Sequence, residues 1–143
     1  NDIISNYSDI KKYQYLLLLQ PTSPLRTSSH IDNAIKLFRS QDADALISVT
    51  HTLEIPQKTM TIDNDGFLSG LIDNDMPFMS RQLLEATYKP NGAIYIVNID
   101  AFKNNNSFLQ PKTIPFFMDE DSSLDIDNLE DIEEVERIMN EKG

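Results

Sequence analysis

Tyr15–Thr27 reads YLLLLQPTSPLRT, and the interpretation of this stretch decides the fold. Tyr15 to Leu19 is a continuous apolar run, stopped by Gln20-Pro21, and Ser23-Pro24 bars an immediate helix. A short apolar run bounded by prolines reads as a strand buried on both faces. Gln20, Thr22, Ser23 and Arg26 would then emerge at its carboxyl end, the edge at which open α/β sheets bind ligands. A core strand followed by a proline-rich turn with no ligand is the competing interpretation, because the rule names an edge and not a strand.

After this stretch Thr27, Ser28 or Ser29 offers an N-cap, and Ile31, Ala34, Ile35 and Phe38 share one face, so His30–Ser40 reads as a helix. Ala45–Thr50 is a second strand, giving a right-handed βαβ unit with parallel strands. Upstream, Ile3, Ile4, Tyr7 and Ile10 fall at helical spacing within residues 1–12. Downstream, Lys58–Ile62 and Phe67–Ile72 flank Asp63-Asn64-Asp65-Gly66, a hairpin signal. Arg81–Ala86 reads as a turn or two of helix, Tyr88–Gly92 as a turn, and Ala93–Val97 as a strong strand. Asp100 would cap a short helix ended by Asn104-Asn105-Asn106, and Ile114–Met118 is a strand. Asn128 would cap a last helix with Ile132, Val135 and Met139 as its apolar stripe. The organisation is a core formed by residues 1–55 and 89–143, with a hairpin insertion at 56–88.

At 143 residues and a net charge of −11, the chain is one domain or part of one, and it is acidic toward its C-terminus. Such a surface repels phosphate backbones, so nucleic acid is not an expected partner. Without cysteine there are no disulfides or thiolate metal sites, which fits a reducing, cytoplasmic compartment. No apolar run is long enough for a helical membrane span, and no basic-then-apolar leader opens the chain.

Several residues bear on chemistry. Asp125 and Asp127 are one residue apart, so in an extended segment both carboxylates would lie on one side, an arrangement suited to a hard cation. A solvated acidic loop is the alternative. Neither Asp63 nor Asp125 opens an EF-hand, because the required glycine and glutamate positions are not met. Arg81 has the planar fork that pairs with a carboxylate, although an isolated arginine also serves in surface ion pairs. Gln20 can use both ends of its amide on a hydroxyl or a base. Asn91-Gly92 would let backbone approach a ligand closely, and a plain turn explains the pair equally. Tyr95 reads as a core tyrosine. His30 and His51 read as capping or solvated residues, and no serine has a triad spacing.

The heptapeptide Gln20–Arg26, QPTSPLR, resembles a motif of the CMP-sialic acid synthetases, the acylneuraminate cytidylyltransferases. Arg81-Gln82, Asn91-Gly92-Ala93-Ile94-Tyr95-Ile96 and Asp125-Ile126-Asp127 follow in the family's order, so the resemblance spans most of the chain. It implies a three-layer, Rossmann-like nucleotidyltransferase with a mostly parallel sheet, in which residues 56–88 dimerise two subunits. It implies transfer of CMP from CTP to a nine-carbon 2-keto sugar acid with release of pyrophosphate. Asp125 and Asp127 would hold Mg²⁺, and Arg81 would hold the sugar carboxylate. Gln20, Tyr95 and Phe108 would line the sugar pocket, with Thr22, Ser23, Arg26 and Asn91 beside them, and Lys58 would reach the partner's site. Phe108-Leu109 stands where the family shows adjacent aromatics. QPTSPLR argues against the octulosonate branch without separating sialic from legionaminic acid. The family's opening basic, glycine-containing nucleotide loop has no counterpart here, which leaves a non-catalytic sugar-binding or dimer-forming fragment as the alternative.

Overall fold

The computed structural model describes residues 12–142, so the helical spacing expected before Lys12 lies outside the described residues. The chain divides into two compact units, Asn1–Thr50 with Pro90–Gly143, and His51–Lys89.

The first unit is built on a four-stranded sheet in the order β1-β5-β2-β6. Its strands are β1 (Tyr15–Leu18), β2 (Ala45–His51), β5 (Tyr88–Asn98) and β6 (Thr113–Phe117). β2 and β6 pair in parallel, and β1 pairs antiparallel with β5. The amide of Asn98 donates to Asp44 O and that of Thr52 to Thr87 O, so β5 also runs against β2. The sheet is therefore mixed, with β5 as the reversed strand. On β2 and β5, Leu46, Ile94 and Ile96 pack with Ala34 and Phe38 of α1 (Ser28–Ser40). Ala45, Ile47 and Val97 alternate to the other face and are buried too, so the central strands are covered on both sides.

β1 departs from expectation. Tyr15, Leu17 and Leu18 are each 38–39% exposed. Among the described residues β1 is the end strand, with β5 alone beside it, so three of its four residues are left partly open. Tyr15 still packs edge-on against Phe38, with ring centroids 5.5 Å apart. Such a pair adds about 0.5–1.5 kcal/mol beyond area burial.

Thr27 caps α1. Its hydroxyl accepts from the amide of His30, and His30 Nδ1 accepts from the amide of Thr27. α2 (Ile99–Asn105) starts from Asn98, whose side chain accepts from the amide of Asp100, so the cap sits two residues before the expected one. It ends at Asn106 in the left-handed region (φ 53°). Asn128 caps α3 (Leu129–Lys142), accepting from the amides of Glu130 and Asp131. The buried stripe of α3 is Val135 and Ile138, while Ile132 and Met139 are exposed.

The second unit holds the hairpin of β3 (Met60–Ile62) and β4 (Leu68–Gly70). Gly66 turns it with φ +88°, and Asp63 Oδ1 accepts from the amides of Asp65 and Phe67. Three 3₁₀ turns complete the unit, at Pro56–Lys58, Met76–Phe78 and Arg81–Leu83.

Candidate active site

β5 does not begin at Ala93. It runs through the segment Tyr88–Gly92 that the sequence suggested as a turn, because Gly92 takes φ +75° inside the strand and Asn91 is anchored there. This kink brings three distant segments together. A β-carbon built on Gly92 would overlap Gln20 Oε1, and would lie 3.1 Å from Ser23 Oγ and 3.6 Å from Asp125 Oδ2. Gln20, Ser23, Gly92 and Asp125, four residues from three of the sequence motifs, therefore converge on one point.

The turn after β1 is held by its own polar groups. Ser23 is buried and donates to Asn91 O at 3.3 Å. Arg26 donates to the carbonyls of Gln20 (3.0 Å) and Ala93 (2.8 Å), which fastens the turn to β5. Thr22 is exposed, and its carbonyl accepts from the amide of Ile126 at 2.9 Å, which ties the Asp125–Asp127 segment to the same turn.

Asn91 is 4% exposed, and both ends of its side-chain amide are hydrogen-bonded. Oδ1 accepts from the Ser48 hydroxyl (2.5 Å) and the Ala93 amide (3.2 Å), and Nδ2 donates to Ser123 Oγ (2.8 Å). Neither Ser48 nor Ser123 was a sequence candidate. A lone serine inside the apolar run ALISV was the available signal for Ser48. Thr50, two residues on along the same strand, is buried with a hydroxyl that has no hydrogen-bond partner among the described residues.

Tyr95 is half-buried, and its ring lies 5.5 Å from that of Phe108, which in turn meets the Phe102 ring at a tilt, 5.2 Å between centroids. Burial raises the Tyr95 phenol above its ordinary pKa, the Asp125 charge adds to this, and the Gly92 backbone opposes it. Tyr95 thus belongs to the same neighbourhood as Asp125.

The two aspartates differ. Asp125 is half-buried, and its Oδ1 is enclosed with no hydrogen-bond partner among the described residues. Asp127 is exposed, its amide donates to Asp131, and the chain bends there, so the alternation of an extended segment does not carry through both residues. Among the described residues no group of three or more His, Cys, Asp or Glu could hold a metal. Two carboxylates, one with an unpartnered enclosed oxygen, suit Mg²⁺, which takes one or two carboxylates and draws its remaining ligands from water and substrate phosphate. They do not suit an ion caged by protein alone.

In the second unit, exposed Arg81 lines a small pocket of about 80 Å³ with His51, Thr52, Ile55, Leu84 and Thr87. Lys58 donates to Met79 O (2.6 Å) and Pro77 O (3.4 Å), so its ammonium joins two of the 3₁₀ turns. No helix among the described residues is long and apolar enough to cross a membrane.

No family model matches the chain. The chain is 35% identical over 141 residues to an N-acylneuraminate cytidylyltransferase of Escherichia coli O18:K1:H7, covering 98% of this chain and 32% of that protein. It is 30% identical over 129 residues to a CMP-N,N'-diacetyllegionaminic acid synthase of Legionella pneumophila, covering 89% of this chain and 54% of that protein. The chain thus spans about a third of the length of the cytidylyltransferases it matches. Its fold is that of the 4-diphosphocytidyl-2C-methyl-D-erythritol synthase of Anaerococcus prevotii, with a TM-score of 0.60 at 13% identity over 98% of this chain and 67% of that one. The resemblance read from the sequence holds across nearly the whole chain, and so does the mixed α/β class with its small hairpin.

Proposed function

We propose that the protein carrying this chain is a cytidylyltransferase that joins CTP to a nine-carbon 2-keto sugar acid, N-acetylneuraminate or a close relative, releasing pyrophosphate. The convergence of Gln20, Ser23 and Asp125 on side-chain-free Gly92 is the observation that carries this reading. It sets an amide able to bond a hydroxyl beside a carboxylate, at the end of an α/β strand where ligands bind. Relatives named for activating sialic and legionaminic acids support the substrate class.

In this reading Gln20 orients the sugar by hydrogen bonds, and Tyr95 with Phe108 forms the apolar wall of the pocket. Arg81 pairs with the substrate carboxylate, which fixes the reacting hydroxyl for in-line attack on the α-phosphorus. Arg26, Ser23 and Asn91 hold the pocket's backbone in place, and Lys58 ties together the 3₁₀ turns of its own unit. Asp125 and Asp127 would hold Mg²⁺, which when bound offsets triphosphate charge. The proposed setting is the cytoplasm, where CTP is made, and the proposed assembly is a homodimer. Exposed Leu53, Ile62, Phe67, Leu68 and Phe78 of the second unit support the dimer, since an apolar set of this kind marks an interaction surface.

Pyrophosphate release from CTP and Mg²⁺ tests the reading, with N-acetylneuraminic and legionaminic acids run in parallel on the intact protein and on its Asp127→Asn variant. Release with one sugar, lost in the variant, is the expected result. A folded intact protein that turns over neither sugar, yet binds one, would leave the sugar-binding alternative standing.

A further inference from the structure

We propose that Ser48, Asn91 and Ser123 form a hydrogen-bond relay that positions Asp125, and that loss of its Ser123 end weakens divalent-cation binding without disturbing the sugar pocket. The proposal rests on the assignment of Asp125 as a metal ligand in the function proposed above.

The relay has one consistent polarity. The Ala93 amide can only donate, so the Asn91 atom facing it is the oxygen, and the NH₂ must point the other way. The Ile94 amide likewise can only donate, and it occupies Ser48 Oγ at 2.7 Å. The Ser48 hydroxyl proton is then free to go to Asn91 Oδ1. With its oxygen taken twice, Asn91 presents Nδ2 to Ser123 Oγ at 2.8 Å. The chain of bonds starts at Ser48, which is fully buried on β2, and ends in the loop that carries Asp125.

Asp125 needs this support because its own carboxylate supplies little. Oδ1 is enclosed and has no hydrogen-bond partner among the described residues. Its position is set by the backbone on either side, through Ser123 held by Asn91 and through Ile126 held by Thr22 O. Losing the Ser123 contact would release the loop on one side of Asp125 only. Gln20, Tyr95 and Phe108 hang on other segments, so the sugar contacts would remain. The relay residues touch neither substrate nor metal in this account and are positioning residues.

The test uses the intact protein and Mn²⁺ as the probe, followed by electron paramagnetic resonance in the presence of CTP. Ser123→Ala is expected to weaken Mn²⁺ affinity about tenfold, the lower end of the range for residues that orient metal ligands. The KM for the sugar should stay within about twofold, because the uniform binding of the sugar is untouched. Ser123→Thr keeps the hydroxyl and should retain wild-type affinity. Ser48→Ala should repeat the Ser123→Ala effect where it folds, and the Ser123 pair decides the matter where it does not. Unchanged Mn²⁺ affinity in folded Ser123→Ala overturns the relay. So does equal loss in Ser123→Thr, or Mn²⁺ binding that Asp125→Asn does not weaken. If no CMP-sugar forms while Mn²⁺ binding still follows Asp125 and Ser123, the function proposed above fails and the relay stands.

Discussion

Gln20 and Gly92 fit together because Gly92 has no side chain: a β-carbon there would overlap the amide oxygen of Gln20. The contact joins the turn after β1 to the kink in β5, and Asp125 lies against the same spot. One missing methyl group is therefore the condition on which the proposed pocket closes.

Gly92→Ala should be damaging for two separable reasons. The φ of +75° strains any L-residue, which costs about 1–2 kcal/mol. The new methyl group also displaces Gln20, so the KM for the sugar should rise. In a Gln20→Ala background the collision disappears and the strain remains. Thermal unfolding of the four proteins of this cycle should show the strain in both backgrounds. Sugar affinity should respond to Gly92→Ala only when Gln20 is present. A similar response in both backgrounds would mean that the overlap does not govern the pocket.

The Tyr95 phenol should titrate late. Burial disfavours the phenolate, and the Asp125 charge disfavours it further, so its folded pKa lies above the ordinary value of 10.0. Below pH 10 Tyr95 is protonated in both folded and unfolded chains and adds no pH dependence. Above pH 10 the unfolded chain loses this proton first, so stability falls as pH rises toward the folded pKa. Phenolate absorbance should show a late-titrating tyrosine that is absent from Tyr95→Phe. Asp125→Asn should bring that titration down. A Tyr95→Phe curve lacking an ordinary tyrosine instead would contradict the Asp125–Tyr95 pairing.

The cap of α1 gives a stability test away from the site. Thr27 and His30 satisfy each other's amides. Thr27→Ala should destabilise the protein by about 0.5–2 kcal/mol, and Thr27→Ser should retain most of the stability. Denaturant melts of both variants, compared at constant m-value, measure this. Equal melting of Thr27→Ala and wild type would mean that the cap is replaced by water.

How far the sequence was legible depends on whether a residue's role is local. A cap among Thr27, Ser28 and Ser29, the cap at Asn128 and the turn at Gly66 follow from nearest neighbours and could be read directly, Thr27 being the one of the three that caps. The QPTSPLR turn and the Asp125 segment could be placed in one site from their family order, although nothing local shows that Ile126 bonds to Thr22. The exposure of β1 is not legible in the sequence, because an apolar run reports what a strand can bury and not which neighbours it has. Asn91-Gly92 suggested a turn because that dipeptide favours one. The strand continues through it because Ser48 and Ser123, 43 and 32 residues away, satisfy the buried amide. Long-range hydrogen bonds of this kind leave no periodicity.

The second unit leaves large apolar side chains open to solvent. Phe78 is 80% exposed and Ile62 70%, in a unit whose hairpin has few residues to form a core. An isolated hairpin is marginal in water, so such a surface is stabilised when it is covered. A second copy is the proposed cover, and a twofold interface would place the same residues on both sides. Ile62→Lys would then set two like charges near each other across the axis, and Phe78→Ser would remove apolar area from both subunits at once. Each should shift the sedimentation mass of the intact protein toward one subunit at micromolar concentration. Far-ultraviolet circular dichroism should stay unchanged, because both side chains are exposed within their own unit. Monomeric wild-type protein under the same conditions would overturn the dimer, and a dimer untouched by either change would place its interface elsewhere.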